Sequence, residues 1–158
     1  MRIAIAVLVS SSLWAAAAAA ECRDSAGGSC SLDIRLSPAA GCLCLMSVAV
    51  FEGPGCDAEH RLWGETLGCN VTDRMAVTDR GFLVSILAPA TAHPEWSIVS
   101  VLWWRDGGVV QSRLALEDLS ETAGLAGVVR PRFEGTAIRF SPEVLVPFER
   151  LEAAAGGP

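Results

Sequence analysis

The side chains in this protein that could do chemistry fall into two neighbouring groups. Cys22, Cys30, Cys42, Cys44, Cys56 and Cys69 crowd into one stretch, and no cysteine follows Cys69. Asp57, Glu59 and His60 come directly after Cys56. An imidazole beside two carboxylates has the composition of a general base or of a stabilised imidazolium. Cys42-Leu43-Cys44, with Met46 nearby, offers soft sulfur ligands of the kind that hold copper(I). Zinc sites use a wider cysteine spacing with a second pair or with histidines, and here only His60 and His93 exist.

A plainer reading stands beside each of these. Asp57 to His60 reads as a solvated turn, and His93, in His93-Pro94-Glu95-Trp96, as an exposed loop residue. An even number of cysteines leaves no spare thiolate for a nucleophile and reads first as three disulfides. The twelve basic residues are all arginine, so S-x-x-K nucleophiles and lysine Schiff bases are excluded. No G-x-S-x-G elbow, H-E-x-x-H helix or phosphate-cradling glycine loop occurs. The expectation is a protein that is not an enzyme and holds neither cofactor nor metal.

The start of the sequence sets the compartment. Residues 1–20 carry one charge (Arg2), an apolar run from Ile3 to Val9, three serines and a closing run of alanines. This reads as a secretory signal peptide cut near Ala20, before Glu21. The apolar core is far shorter than the roughly 20 residues a membrane span requires. Lipidation at Cys22 is disfavoured, because Glu21 precedes it where a small residue is needed. The protein is therefore expected to be secreted or periplasmic, where thiols oxidise. Six cysteines allow fifteen pairings, and spacing does not choose among them. If Cys42 and Cys44 lie on a strand they share a face, so each pairs elsewhere.

Without the leader, 18 acids against 11 arginines leave a charge of −7, which argues against nucleic acid and anionic membranes as partners. Residues 21–152 suffice for one domain with a genuine core. Residues 21–69 form its disulfide-rich portion, and residues 153–158 read as a flexible tail. No later segment is apolar and long enough to span a bilayer.

The elements that would position these side chains are strands. Leu45 to Phe51 is apolar and partly β-branched, and Gly53-Pro54-Gly55 closes it with a turn. Arg61 to Trp63, Met75 to Val77 and Phe82 to Leu87 are further strand candidates, and so is Thr136 to Phe140. Val144 to Leu151 fits either a strand or a helix, and Leu116 to Leu119 opens a short segment with helical spacing. The clearest local pattern is Ile98 to Trp104 followed by Val109 to Leu116 across Asp106-Gly107-Gly108, a hairpin signature. An Asp106-Gly107 turn sets Trp103 opposite Val110 and Val99 opposite Leu114; a Gly107-Gly108 turn moves the partners by two and keeps the faces. Val99, Val101, Trp103, Val110, Ser112 and Leu114 then form a core face. Ile98, Ser100, Leu102, Trp104, Val109, Gln111 and Arg113 form a mixed one. That second face is either covered by another layer or is an exposed platform, with Trp104, Leu102 and Val109 as its contact residues.

An ordered set of residues, Trp63, Thr66-Leu67, Asn70, Ala76-Val77-Thr78-Asp79, Gly81, Val84, Gly108 and Leu116-Glu117-Asp118-Leu119, resembles a group of secreted bacterial proteins of unassigned activity. It also looks like one or two blades of a β-propeller. The resemblance covers roughly Cys44 to Leu119 and transfers no catalytic residue. It departs at Arg80, where an acidic or polar turn residue is usual, and in the extra cysteines. A full propeller needs about four blades or more, which this length cannot supply. Ser47 to Trp63, with Cys56 and Leu62-Trp63, is also similar to the central stretch of herpesvirus glycoprotein L, a small secreted escort of a larger envelope protein. The asparagine-proline-aromatic segment of the animal forms is missing. Asn70-Val71-Thr72 would be a glycosylation acceptor if the host glycosylates.

The sequence thus predicts a mainly β fold, a small antiparallel sandwich or incomplete blade-like meander with a disulfide-rich N-terminal portion. Its predicted role is that of a secreted binding or structural module whose partner is another protein. The escort-subunit reading and copper binding through Cys42 and Cys44 are the alternatives.

Overall fold

The computed structural model describes residues 20–38, 44–68, 74–87, 97–119 and 131–157. Outside them lie residues 1–19 of the expected leader, and with them Cys42, Cys69, Asn70, His93 and Trp96. The protein is mainly β and antiparallel, as expected. β1 (Ala20–Asp24), β2 (Cys30–Pro38), β3 (Cys44–Glu52) and β4 (Arg61–Gly68) form one meander in sequence order. β5 (Met75–Val77), β6 (Leu83–Ile86), β7 (Ser97–Arg105) and β8 (Gly108–Ala115) form a second. After the short helix α1 (Leu116–Leu119), β9 (Arg132–Glu134), β10 (Ala137–Arg139) and β11 (Leu145–Pro147) make a three-stranded sheet, and α2 (Phe148–Ala154) follows.

The second meander is the middle layer, and the alternation of its side chains shows why. Leu83 and Leu102 enter a core with Leu32, Ile34, Met46, Val48, Val50 and Trp63 of the first sheet. Their strand neighbours Val84, Val101 and Trp103 point the other way, into a core with Ile138, Val146, Phe148 and Leu151. Both faces of its central strands, β6 and β7, are therefore covered. Every residue of β6 is buried, and so is Ile98 to Trp103 in β7.

The hairpin takes the first of its two predicted registers. Trp103 pairs with Val110 and Val99 with Leu114, around Asp106 and Gly107 at φ 51° and 86°. Positive φ at both central residues is the primed turn whose twist matches its strands. Ile98 departs from the expected alternation. The register shifts between Ser97 and Val99, and this bulge turns Ile98 into the same core as Val99.

The ambiguous segment Val144–Leu151 is both things in turn, a strand to Pro147 and then a helix for which Pro147 supplies the extended N-cap. Ala153 and Ala154, expected in a flexible tail, complete that helix, and the Gly157 amide bonds the Glu152 carbonyl at 2.9 Å. Leu151 and Phe148 are buried, which fixes the helix on the second sheet. β1 and β2 are not among the strands that local sequence predicts. Cys30, Leu32 and Ile34 alternate with Ser31, Asp33 and Arg35, and only the first three face the core.

One turn fastens all three layers. Asp79, Arg80 and Gly81 connect β5 to β6, with Gly81 at φ 79°. Asp79 Oδ1 accepts from Ser25 Oγ at 2.5 Å and from the amides of Gly27 and Ser29 at 3.0 and 3.4 Å, holding the β1–β2 hairpin. A Cβ at Gly27 would come within 2.5–2.8 Å of that carboxylate, so the close approach requires glycine. Arg80 Nη1 donates to Glu152 Oε2 at 2.9 Å on α2, and its guanidinium lies 5.5 Å from the Phe82 ring centre. The carbonyl of Gly81 accepts from Trp63 Nε1 at 3.0 Å. The arginine that departs from the blade-like pattern thus has a partner, a carboxylate buried to 3% exposure.

The Ser25 hydroxyl, followed by the two amides, holds the Asp79 carboxyl below its ordinary range. A carboxyl depressed in the folded state adds stability above the ordinary aspartate value of about 3.9 and loses it as pH falls through the folded-state value. Urea unfolding from neutral pH downward should therefore show the wild type losing an increment that Asp79→Asn never had, with the two curves converging in acid. A constant gap between the curves at every pH would contradict this.

Candidate functional site

The surface best suited to binding is built from a bulge and a hairpin tip. Val50 pairs with Trp63 and Phe51 with Arg61, so Leu62 is the extra residue of a bulge in β4. Trp63 on one side of it is buried in the inter-sheet core, whereas Leu62 is 45% exposed. From the second sheet, β7 runs beyond the start of β6, since Leu83 pairs with Leu102 and Trp103, Trp104 and Arg105 extend past it. Trp103 turns into the core beside Phe82, at 5.7 Å between ring centres. Trp104 faces the opposite way and is 50% exposed. Leu62, Trp63, Phe82, Trp103, Trp104 and the Arg80–Gly81 turn together line a cleft of about 250 Å³.

The cleft has an apolar base and fixed walls. Trp63 is pinned by its bond to Gly81, and Trp103 by its packing against Phe82. Trp103 Nε1 is buried with no hydrogen-bond partner among the described residues. Arg80 supplies positive charge at the rim, and its side chain is half exposed while bound to Glu152. Rigid aromatics in such a setting suit protein recognition, because little side-chain entropy is lost on contact.

Of the three expected contact residues, Trp104 alone is exposed. Leu102 is 2% exposed and lies in the core between the first two sheets, so it is not a contact residue. Val109, the cross-strand partner of Trp104, is half-buried against that same core. The mixed face is covered at Ser100 and Leu102 of β7 but open at Gln111 and Arg113 of β8 and at Trp104, so it is neither a wholly open platform nor a wholly covered one.

Asp57, Glu59 and His60 form no enclosed site. Asp57 caps the single 3₁₀ turn Ala58–His60 by accepting the Glu59 amide at 3.1 Å, and its other oxygen lies 3.4 Å from His60 Nδ1. Both side chains are more than half exposed, which is the solvated turn of the plainer reading.

Cys22 and Cys56 are bonded to each other, joining the edge strand β1 to the segment after β3. Cys30, expected in a bridge, is instead a free and buried thiol. It faces the inter-sheet core, with its Sγ 3.6 Å from the Asp79 carbonyl. Burial, together with the nearby charges of Asp79 and Glu52, pushes this thiol up and keeps it protonated. Cys44 opens β3, and Met46, two residues on, is fully buried in the core, away from any surface metal. Among the described residues no cluster of His, Cys, Asp and Glu could hold a metal ion, and no helix is long and apolar enough to cross a membrane.

The roles of Leu62, Asp79 and Arg80 were not visible in sequence. A bulge and a link between layers leave no periodic signal. Comparison of the sequence and fold with protein-family models, curated proteins and solved structures finds no match.

Proposed function

We propose that this protein is an exported, non-enzymatic module that binds another protein through the cleft beside Trp104. The reading rests on one observation: a half-exposed indole stands beside an exposed leucine over a base of buried, immobilised aromatic rings. A disulfide formed between β1 and the β3–β4 connection supports an oxidising compartment. The partner presents an apolar side chain to Trp104 and Leu62 and excludes water from between them.

The test compares wild type and Trp104→Ser, both oxidised, as baits in the extracellular or periplasmic fluid of the source. The variant should lose the partner that wild type retains, with an unfolding free energy within about 0.5 kcal/mol of wild type, as for other surface substitutions. Equal capture by both baits would overturn the reading, and a large fall in stability would reassign Trp104 to the core.

A further inference from the structure

On the outward face of the first sheet, away from the Trp104 cleft, the register lays out three rows of side chains across β2, β3 and β4. Arg35, Ser47 and Thr66 form one row and Asp33, Ala49 and Gly64 the next; Ser31, Phe51 and Arg61 form the third. These rows, apart from the buried Ser31, line a groove of about 560 Å³. Its floor is small at the centre because Ala49 and Gly64 pair directly there.

The Arg61 guanidinium lies across Gly64. A Cβ at position 64 would sit 2.9 Å from Arg61 Cζ and collide with Nη2. The other charges of the groove are already engaged. Arg35 Nε donates to Asp33 Oδ2 at 2.8 Å, on a carboxylate only 10% exposed. Glu65 at the rim accepts the Thr66 amide at 2.9 Å. Arg61 forms neither ion pair nor hydrogen bond with any described residue.

We propose that this groove binds a carboxylate group, held as a two-point pair by Arg61 with the Ser47 and Thr66 hydroxyls as further donors. A guanidinium fork matches a carboxylate in geometry, and its charge-assisted bonds are among the stronger polar contacts. The arginines and carboxylates lining the groove sum to zero charge. Asp33 and Glu65 therefore oppose a compact dianion more strongly than a planar monoanion. The carboxylate comes from the free C-terminus of a peptide or from an acidic side chain.

Amide chemical shifts of the isotope-labelled, oxidised protein test this directly. The probes are N-acetyl trialanine as free acid, the same peptide amidated, an amidated peptide with one internal glutamate, and inorganic phosphate. The free acid, the glutamate peptide or both should shift the amides around Ser47, Gly64 and Thr66, and whichever does so identifies the source. The neutral amide should shift none of them. Arg61→Gln should weaken the response about tenfold or more, the worth of a charge-assisted pair. Gly64→Ala, which keeps every charge but evicts the guanidinium from its seat, should weaken it as well. The proposal is overturned if neither carboxylate probe shifts these amides, or if the neutral amide shifts them equally. A tighter response to phosphate, or full binding by either variant with its spectrum otherwise intact, overturns it too.

Discussion

Opening the Cys22–Cys56 bridge, by reduction or by the paired change Cys22→Ser and Cys56→Ser, is expected to remove about 3–4 kcal/mol of stability. The bridge closes a loop with a sequence separation of 34, and the loop-entropy relation for that length gives a value in this range. β1 has only β2 as a strand neighbour, so it is an edge whose ladder is covered on one side alone. The bridge replaces part of the missing support by tying β1 to the segment that follows β3. Thermal unfolding should move down by about 10–20 °C, given about 3–5 °C per kcal/mol for a domain between the 100- and 150-residue classes. The comparison is calorimetry with and without reductant. Cys30, already a thiol, contributes nothing to the reductant effect, and the paired variant measures the share that belongs to Cys22–Cys56. A melting temperature indifferent to reductant would contradict the prediction.

Trp63→Ala is the second large effect, expected at about 3–5 kcal/mol, the range for emptying a buried aromatic site. Trp63 is 4% exposed, and it reaches from the first sheet to the Gly81 carbonyl on the second. Truncation opens a cavity between the two layers and leaves that carbonyl without its donor. Trp63→Phe separates the two contributions, since it keeps most of the ring volume and loses the Nε1 donor. It should cost about 1–3 kcal/mol, the penalty for a buried polar group left unsatisfied. Urea midpoints of both variants, beside Trp104→Ser, check the ordering. If Trp104→Ser proved as damaging as Trp63→Ala, the assignment of one indole to the core and the other to a contact surface would be wrong.

How much of this is legible in the residues alone varies element by element. The β7–β8 hairpin was legible to within two registers that keep the same faces, because Asp106-Gly107-Gly108 offers two placements of a two-residue turn; the structure takes the one at Asp106-Gly107. The strand at Leu45 to Phe51 was legible from composition and the adjoining turn. β1 and β2 were hidden, since the cysteines at positions 22 and 30 suggest a loop framework first. Yet Leu32 and Ile34 alternate with polar neighbours as an edge-proximal strand should. Leu102 was misplaced because strand parity tells which residues share a face and says nothing of how far a covering sheet extends.

The sequence by itself determined the secondary elements of the middle of the protein, its antiparallel character and the face a strand residue takes wherever no bulge intervenes, because these follow from local backbone geometry and a period of two. Only the tertiary structure decided that the second meander is sandwiched on both sides, that Cys22 meets Cys56 while Cys30 stays reduced, and that Trp104 stands beyond the covering layer. It also decided that Asp79, Arg80 and Gly81 each reach a different partner element, and that Arg61 rests on a glycine floor with no partner among the described residues. Each of these depends on which surfaces, distant in sequence, come to lie against each other, and burial, charge pairing and disulfide formation are properties of that juxtaposition.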